Sequence, residues 1–423
     1  MNPIFKEYCN FLEEKAGLKL EEGYFWLDNQ IVKAFDKQGN IHKLYRLKVE
    51  DDLSMSYRVP KGYSNIKDIE VESWHGTVDR NREYIKEITV ESKDLIKECL
   101  SKYEGYTPII LTSGGKDSSV TMDLARQVNP GIKAIFNNTT LDCADTYIHM
   151  KTVDDVQWIN PKEGFYQWRK RLDFIPTRFA RACCTIFKEG AMMNVLHKND
   201  KYIFFLGMRN EESSARSGYE DYWKNEKWGD NWFGCLPIRK WSELDVWLYL
   251  LMNDVSFNPK YRKGYSRAGC AIACPFASKS TWVLDKYWYP TMRSRWENIL
   301  RDDFINNKKW IIMNCTIDEY ITQAWNGGTF RDEPTDEVIQ EFAEYNGLNV
   351  GDTKVARQYF NKYCDECEKR IKDKTTLAMN MKFHGRDVSK FLCKKCFKKL
   401  YEMDDDKWNK YVDSFKRDGC ALF

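Results

Sequence analysis

Between residue 108 and about residue 300, short apolar, β-rich runs alternate with segments of helical periodicity. "PIILTS" leads into "SVTMDLARQV" and "IKAIFNN" into "DTYIHMKTV", and "DDVQWI", "KEGAMMNVLH" and "YIFFLGM" carry the alternation onward. Strands that take turns with helices predict an open α/β domain, a parallel sheet with helices on both faces. In such sheets ligands bind beyond the carboxyl ends of the strands. Upstream, residues 1–105 read as an α+β accessory region. It has a helix near 3–16, a hairpin over "YFWLDNQIVKAFDKQGNIHKLYRLKV" turning at "DKQGN", and a charged helix from about 81 to 104. Residues 106–300 form the expected α/β domain, 301–360 a helical connector and 361–423 a small lysine-rich module.

One strand-to-helix junction carries unusual chemistry, "ILTSGGKDSSVTMDLARQ" at 110–127. Gly114 and Gly115 let the backbone approach an anion and take positive φ, while the turn N–H groups and the helix N-terminus point at it. Lys116 adds a full positive charge, Ser113, Ser118 and Ser119 add donors, and Asp117 is suited to positioning Mg2+ or the loop. The Walker A spacing is absent.

Composition narrows the setting. A chain of 423 residues suggests two or three units. Its 66 Lys and Arg nearly cancel 63 Asp and Glu, so any polyanion contact must come from local patches. No apolar run reaches membrane-span length, and "MNPIFKEYCNFLEEKAG" lacks a signal-peptide pattern, so a cytoplasmic protein without membrane contact is expected. In a reducing compartment the 14 cysteines read as metal ligands, redox groups or small core residues.

Eight of those cysteines fall into two groups of four. Cys183, Cys184, Cys270 and Cys274 combine a vicinal pair, which cannot easily close on itself, with a distal pair followed by Pro275. Arg178, Arg181 and Lys188 nearby are expected to depress the thiol pKa values. An iron–sulfur cluster, another metal and free or catalytic thiols all remain open. Cys364 and Cys367 stand 25 residues ahead of Cys393 and Cys396, the arrangement of a structural zinc site in a ribbon or treble-clef-like knuckle. The surrounding module holds 16 Lys and Arg against 11 Asp and Glu. Its Lys394, Lys395, Lys398 and Lys399 fit either nucleic-acid contact or a solvated face. Cys420, in "RDGCALF", reads as a formal lipidation box or a tail nucleophile.

"SGGKDS" resembles the pyrophosphate-binding loop of the adenine nucleotide alpha hydrolase superfamily, the PP-loop ATP pyrophosphatases. "IFNNTTLDCADTY", "RFARACCTIFKEG", "FFLGMRNEESSAR", "PIRKWSELDVWLYL" and "GYSRAGCAIACPF" resemble, in order, the phosphoadenosine phosphosulfate (PAPS) reductase family. The resemblance implies an adenine nucleotide alpha hydrolase-like sheet. It also implies nucleotide contacts from Thr112, Ser113, Gly114, Gly115, Lys116, Asp117, Ser118, Asp142, Arg181, Lys188, Arg209 and Arg216. Lys116, Asp117, Cys183 and Cys184 would carry catalysis, and Cys183, Cys184, Cys270 and Cys274 would bind a 4Fe-4S cluster, although here the distal pair is C-x-x-x-C, one residue longer than the family's. Family reductases typically lack the complete lysine-bearing loop, which is the form that holds pyrophosphate leaving ATP. The implied reaction is therefore Mg2+-assisted adenylation of an acceptor followed by sulfur insertion, as in DNA phosphorothioation ATPases and tRNA thiolases. Implied partners are an adenine nucleotide and a sulfur donor such as a cysteine desulfurase or thioredoxin-like reductant. Nucleic acid would approach the "YWKNEKWGDNWF" insert or the zinc module. The alternatives are a PAPS or adenylyl-sulfate reductase forming sulfite, and a non-catalytic nucleotide- or nucleic-acid-binding protein.

Overall fold

The chain opens with a five-stranded antiparallel sheet in sequence order: β1 (Asn2–Pro3), β2 (Phe25–Asp28), β3 (Ile31–Phe35), β4 (Ile41–Val49) and β5 (Met55–Arg58). Helix α1 (Lys6–Ala16) lies between the first two strands. It starts later than expected because Asn2 and Pro3 pair with Leu27 and Trp26, and it ends at Gly17, whose φ is +68°. The "DKQGN" turn joins β3 to β4, where Asp36 accepts from the N–H groups of Gln38 and Asn40 at 2.9 and 2.8 Å. The expected hairpin is a three-stranded meander, because Asn29 and Gln30, at φ 45° and 67°, make a second tight turn between β2 and β3. Helix α2 (Trp74–Lys102) begins ahead of the expected residue 81, where Ser73 Oγ accepts from the Gly76 N–H at 3.1 Å.

The computed structural model describes residues 1–172, 175–178, 183–193, 195–197, 199–213, 216–224, 230–270, 272–306, 315–326, 363–369, 371, 373–384, 391–417 and 420. Residues 1–176 with 181–294 form one compact unit, and 177–180 with 295–423 form a second.

The first unit is built on β6 (Thr107–Thr112), β7 (Lys133–Asn137), β8 (Val156–Ile159), β9 (Tyr202–Leu206), β10 (Tyr222–Lys224) and β11 (Trp232–Cys235), in the spatial order β10-β11-β9-β6-β7-β8. All neighbours run parallel except β10, which is antiparallel at the edge. Its helices are α3 (Lys116–Val128), α4 (Ala144–Thr152), α5 (Phe165–Leu172), a π-helical stretch Cys184–Gly190 continued by α6 (Ala191–Met193), α7 (Glu243–Met252) and α8 (Lys279–Trp288). Alternate residues of the sheet enter opposite cores, the period-2 signature of a strand covered on both faces. Ile110, Ala134, Ile203 and Phe205 pack with Ile96 of α2, Val120 of α3 and Val246 of α7. Ile109, Ile135 and Phe204 pack with Ala191, Met192 and Trp232. Phe5, Trp26 and Trp74 join the first of these cores, so residues 1–105 share a core with the six-stranded sheet. The open α/β architecture expected from the alternation is the architecture observed. After β6 the chain moves outward through β7 and β8, then returns to the other side with β9, so the crevice at the carboxyl ends of β6 and β9 is the topological switch point.

In the second unit, α9 (Pro290–Asn306) contributes its residues from 295 onward, and Trp296 meets Trp325 with ring centroids 5.4 Å apart. Most of the expected 301–360 connector lies outside the described residues. The cysteine-rich module has α10 (Lys374–His384), α11 (Lys394–Leu400) and α12 (Asp405–Arg417) around Met379, Phe397, Trp408 and Val412. Buried Asn380 ties α10 to the segment before Cys393, its amide donating to Leu392 O and its oxygen accepting from Leu392 N–H, both at 2.8 Å. Among the described residues no helix is long and apolar enough to cross a membrane.

Candidate functional site

The glycine loop fills the turn between β6 and α3 at the switch point. Gly114 has φ +68°, and a Cβ there would stand 3.0 Å from Met150 Sδ, so backbone and space both require glycine. The loop is pinned from several sides. Gly114 N–H donates to Thr112 Oγ1 at 3.2 Å, Asn258 Nδ2 donates to Gly114 O at 3.2 Å, and Ser118 Oγ donates to Gly115 O at 2.8 Å. Lys116 N–H donates to Tyr261 Oη at 3.0 Å. Among the described residues no protein group accepts from the N–H groups of Gly115, Asp117 or Ser118. These donors and the positive end of α3 form an anion cradle.

The charged side chains around this cradle are largely committed to one another. Lys116 is 4% exposed, with Nζ 3.1 Å from Asp117 and 3.3 Å from Glu243. Arg209, also 4% exposed, reaches the other Asp117 oxygen at 2.5 Å. Glu243 in addition accepts from the Met1 amino group at 2.8 Å. Burial alone would raise the carboxyls of Asp117 and Glu243, yet Lys116 and the other cations beside them hold both below the usual carboxylate range. Arg216 is bound to Glu212. Lys116, Arg209 and Arg216, which the resemblance places on phosphate, thus have carboxylate partners inside the protein, while Arg181 lies outside the described residues.

Gly207, just past β9, is a positioning residue that the sequence reading passed over. A Cβ there would lie 2.6 Å from the Asp117 carbonyl and 2.8 Å from the Ser118 nitrogen. Its absence lets the β9 end close on the first turn of α3. Asn258, Lys260 and Tyr261, in "NPKYRKGYS", were missed as well. Tyr261 holds the glycine loop, while neighbouring Lys260 donates through Nζ to the carbonyls of Ala268 and Gly269, both at 3.2 Å. Two consecutive residues therefore connect the anion cradle to the segment carrying Cys270. A lysine and an aromatic in a turn carry no local pattern that would have announced this.

Cys183, Cys184, Cys270 and Cys274 do converge. Lys188 feels the charges of Cys270, Cys184, Cys274 and Asp142 together, which holds its ammonium above the ordinary lysine value. Asp142 is buried and accepts from Thr139 Oγ1 at 2.7 Å. Burial raises its carboxyl against the opposing pull of Thr139, Lys260 and Lys188. The thiols depart from expectation. Burial pushes Cys270 up to about 11 despite Lys188, and Cys183 is raised by its hydrogen bond with Cys184 and by burial. At Cys270 desolvation outweighs the attraction of the nearby ammonium. Among the described residues no three of these sulfurs lie within 4.8 Å of one another.

The second group behaves differently. The sulfurs of Cys364, Cys367, Cys393 and Cys396 all lie within 4.8 Å of one another, and Cys367 Sγ is 3.7 Å from Cys393 Sγ. A tetrahedron with Zn–S bonds of about 2.3 Å has an edge of about 3.8 Å, so the four sulfurs fit one zinc ion. Cys393 caps α11, and Cys364 is buried, which would raise its thiol. Hydrogen bonds from the backbone of Cys393, Glu366 and Cys367 bring it down to about 7 instead. Lys394 and Lys398 pair with Asp405 at 3.2 and 2.8 Å, which spends half of the lysine cluster. Cys420 Sγ lies 3.9 Å from Lys382 Nζ in the same unit. Of the aromatic insert, residues 225–229 lie outside the described residues, and Trp232 is wholly buried in the sheet core rather than displayed for stacking.

Residues 107–275 match the phosphoadenosine phosphosulfate reductase domain. An uncharacterized protein of Methanocaldococcus jannaschii is 28% identical over 241 residues, 56% of this chain and 58% of that protein. An adenosine 5'-phosphosulfate reductase of Salinibacter ruber is 25% identical over 173 residues, 38% of this chain and 64% of the relative. The chain thus spans about three fifths of the length of these relatives. A phosphoadenylyl-sulfate reductase structure from Candida auris aligns with TM-score 0.36 and 16% identity, over 44% of this chain and 94% of that one. The glycine loop at the switch point and the Cys183, Cys184, Cys270 and Cys274 group all lie within the segment 107–275 that matches the phosphoadenosine phosphosulfate reductase domain.

Proposed function

We propose that the protein is an ATP-dependent sulfur-transfer enzyme that adenylates an acceptor, releases pyrophosphate and then inserts sulfur. One observation carries the reading: an anion cradle with unclaimed N–H groups is coupled, through Tyr261 and Lys260, to the Cys270 segment. An acceptor oxygen attacks the α-phosphorus of ATP, a P–O bond to the acceptor forms, and the bond to the β-phosphate oxygen breaks. The cradle holds the pyrophosphate as negative charge develops on it. Bound Mg2+ would neutralise part of that charge. Asp117, with both oxygens engaged by Lys116 and Arg209, shapes the loop rather than coordinating the ion. The outer sulfur of a donor persulfide then attacks the activated carbon, and AMP leaves with the acceptor oxygen; a thioredoxin-like dithiol cleaves the S–S bond of the resulting mixed disulfide, leaving sulfur on the acceptor and itself becoming oxidised. Cys183, Cys184, Cys270 and Cys274 would hold a 4Fe-4S cluster able to bind and present sulfur, and the C-terminal cysteines would hold a structural zinc. A reducing, cytoplasmic setting keeps both sets of thiols available.

The second reading is a sulfonucleotide reductase, favoured by the matched domain and by the relative named adenosine 5'-phosphosulfate reductase. Anaerobic protein with Mg2+ separates the two. Pyrophosphate and AMP formed from ATP in the presence of oligonucleotide acceptors support sulfur transfer. Sulfite formed from PAPS or adenylyl sulfate supports reduction and refutes the first reading. Nucleotide binding without either product marks a non-catalytic binding protein.

A further inference from the structure

A cleft of about 550 Å³ lies in the first unit between the N-terminal sheet and the segment leading to Cys270. Its wall carries Arg46, Lys48 and Arg58, the hydroxyls of Ser266, Ser278 and Thr281, and no carboxylate. With Lys48 paired to Glu50, Arg46 and Arg58 leave a local excess of positive charge in a chain whose 129 charged residues almost cancel. Glu50 and Asp51 stand nearby in sequence but are engaged by Lys48 and Lys279 respectively. Arg46 and Arg58 have no carboxylate partner among the described residues, and the strand register places them directly opposite each other on β4 and β5. Like charges in that relation repel and destabilise a sheet. The pair is therefore an unfavourable arrangement for an unliganded sheet and a favourable one for an anion held between two guanidiniums. Helix α8, ten residues long and capped by Ser278, starts on the same wall and adds its positive end.

We infer that this cleft binds the backbone phosphates of a single-stranded polynucleotide, the acceptor of the reaction. The inference rests on the sulfur-transfer reading for the word acceptor and on the cleft alone for the binding. Ser266 lines the cleft and precedes Cys270 by four residues, a reach of at most roughly 14 Å. A strand whose phosphates sit on Arg46 and Arg58 therefore brings a nucleotide a few positions away to the cysteine group. The strand is single because a base or linkage must leave the stack to reach an enclosed reactive group.

The test uses the full chain and a fluorescein-labelled 12-mer of thymidylate or uridylate, titrated by anisotropy between 50 and 300 mM KCl. Replacing both arginines, Arg46→Gln with Arg58→Gln, removes two phosphate contacts. The slope of log affinity against log salt then falls by about 1.4, and binding at 0.15 M salt weakens roughly tenfold. The double variant Arg46→Lys with Arg58→Lys keeps most of the slope, which excludes misfolding as the cause. Equal affinity and slope in the Gln variant, or no binding by the parent chain, overturns the inference. Pyrophosphate release from ATP with the oligonucleotide present is read in parallel. Loss of arginine-dependent binding with ATP cleavage intact defeats the cleft assignment alone. Arginine-dependent binding in a chain that never cleaves ATP defeats the sulfur-transfer reading and leaves the cleft standing.

Discussion

Gly207→Ala isolates the closeness of β9 to the first turn of α3 from every chemical role in the site. Position 207 is outside the left-handed region, so alanine costs nothing in backbone conformation there, unlike at Gly114 with φ +68°. The added Cβ would stand 2.6 Å from the Asp117 carbonyl carbon and oxygen, where ordinary contact begins at 3.4 Å. The first turn of α3 must therefore retreat by about 0.8 Å, because its neighbour at position 207 is itself backbone and cannot swing aside. Overpacking of this kind costs about 1–3 kcal/mol. For a unit of this size that corresponds to a Tm lowered by roughly 2–12 °C. The same retreat moves the N–H groups of Asp117 and Ser118 away from the pyrophosphate position, and a displacement near 1 Å lowers turnover by up to about 100-fold. Differential scanning fluorimetry and a coupled pyrophosphate assay measure the two effects on one preparation. An alanine variant with unchanged Tm and unchanged pyrophosphate release would falsify the close approach and the cradle together.

Lys116→Met is expected to destabilise the protein by about 3–5 kcal/mol, because it leaves the buried carboxylates of Asp117 and Glu243 without their shared cation; chemical denaturation at pH 7 measures it, and a loss of activity with full stability would contradict the internal role. Both carboxyls are lowered in the folded chain, so their stabilisation is complete above the unfolded values of about 4 and is lost as pH falls below them. The parent should therefore lose stability between pH 4 and pH 2 more steeply than Lys116→Met, and parallel acid titrations by circular dichroism check the sign. Purified protein should contain one zinc per chain by elemental analysis, lost in Cys393→Ser together with the cooperative melting of the C-terminal module. Anaerobic protein should show absorbance near 400 nm that Cys270→Ser abolishes while zinc content stays constant; retention of the colour would remove Cys270 from the ligand set.

The alternation of apolar runs made the α/β class legible, because strand and helix periods are local properties of the chain. The glycine loop was legible for the same reason: its spacing, and the strand and helix that flank it, lie within eighteen consecutive residues. The two C-x-x-C pairs were legible as well, since each is a spacing of four residues, and the fold brings all four sulfurs within 4.8 Å of one another. Turns were read less well. Asn29 and Gln30 lack the Gly that most often announces a tight turn, so the pattern predicts a hairpin where the fold has a three-stranded meander.

What the tertiary structure decided was how charges and gaps are shared between segments far apart in sequence. Lys116, expected on phosphate, has Glu243 from 127 positions away beside it in the folded chain. The cations around the vicinal cysteines promised low thiol pKa values, but burial, which no local pattern reveals, prevails at Cys270. Gly207, Lys260 and Tyr261 matter through what they touch, and the opposed Arg46 and Arg58 matter through strand register. Periodicity and spacing are written along the chain, so the sequence alone determined the α/β class, the glycine turn between strand and helix, and the pairing of the C-terminal cysteines into one group. Desolvation, counter-ion choice and close approach depend on distances through space, and only the folded chain sets those.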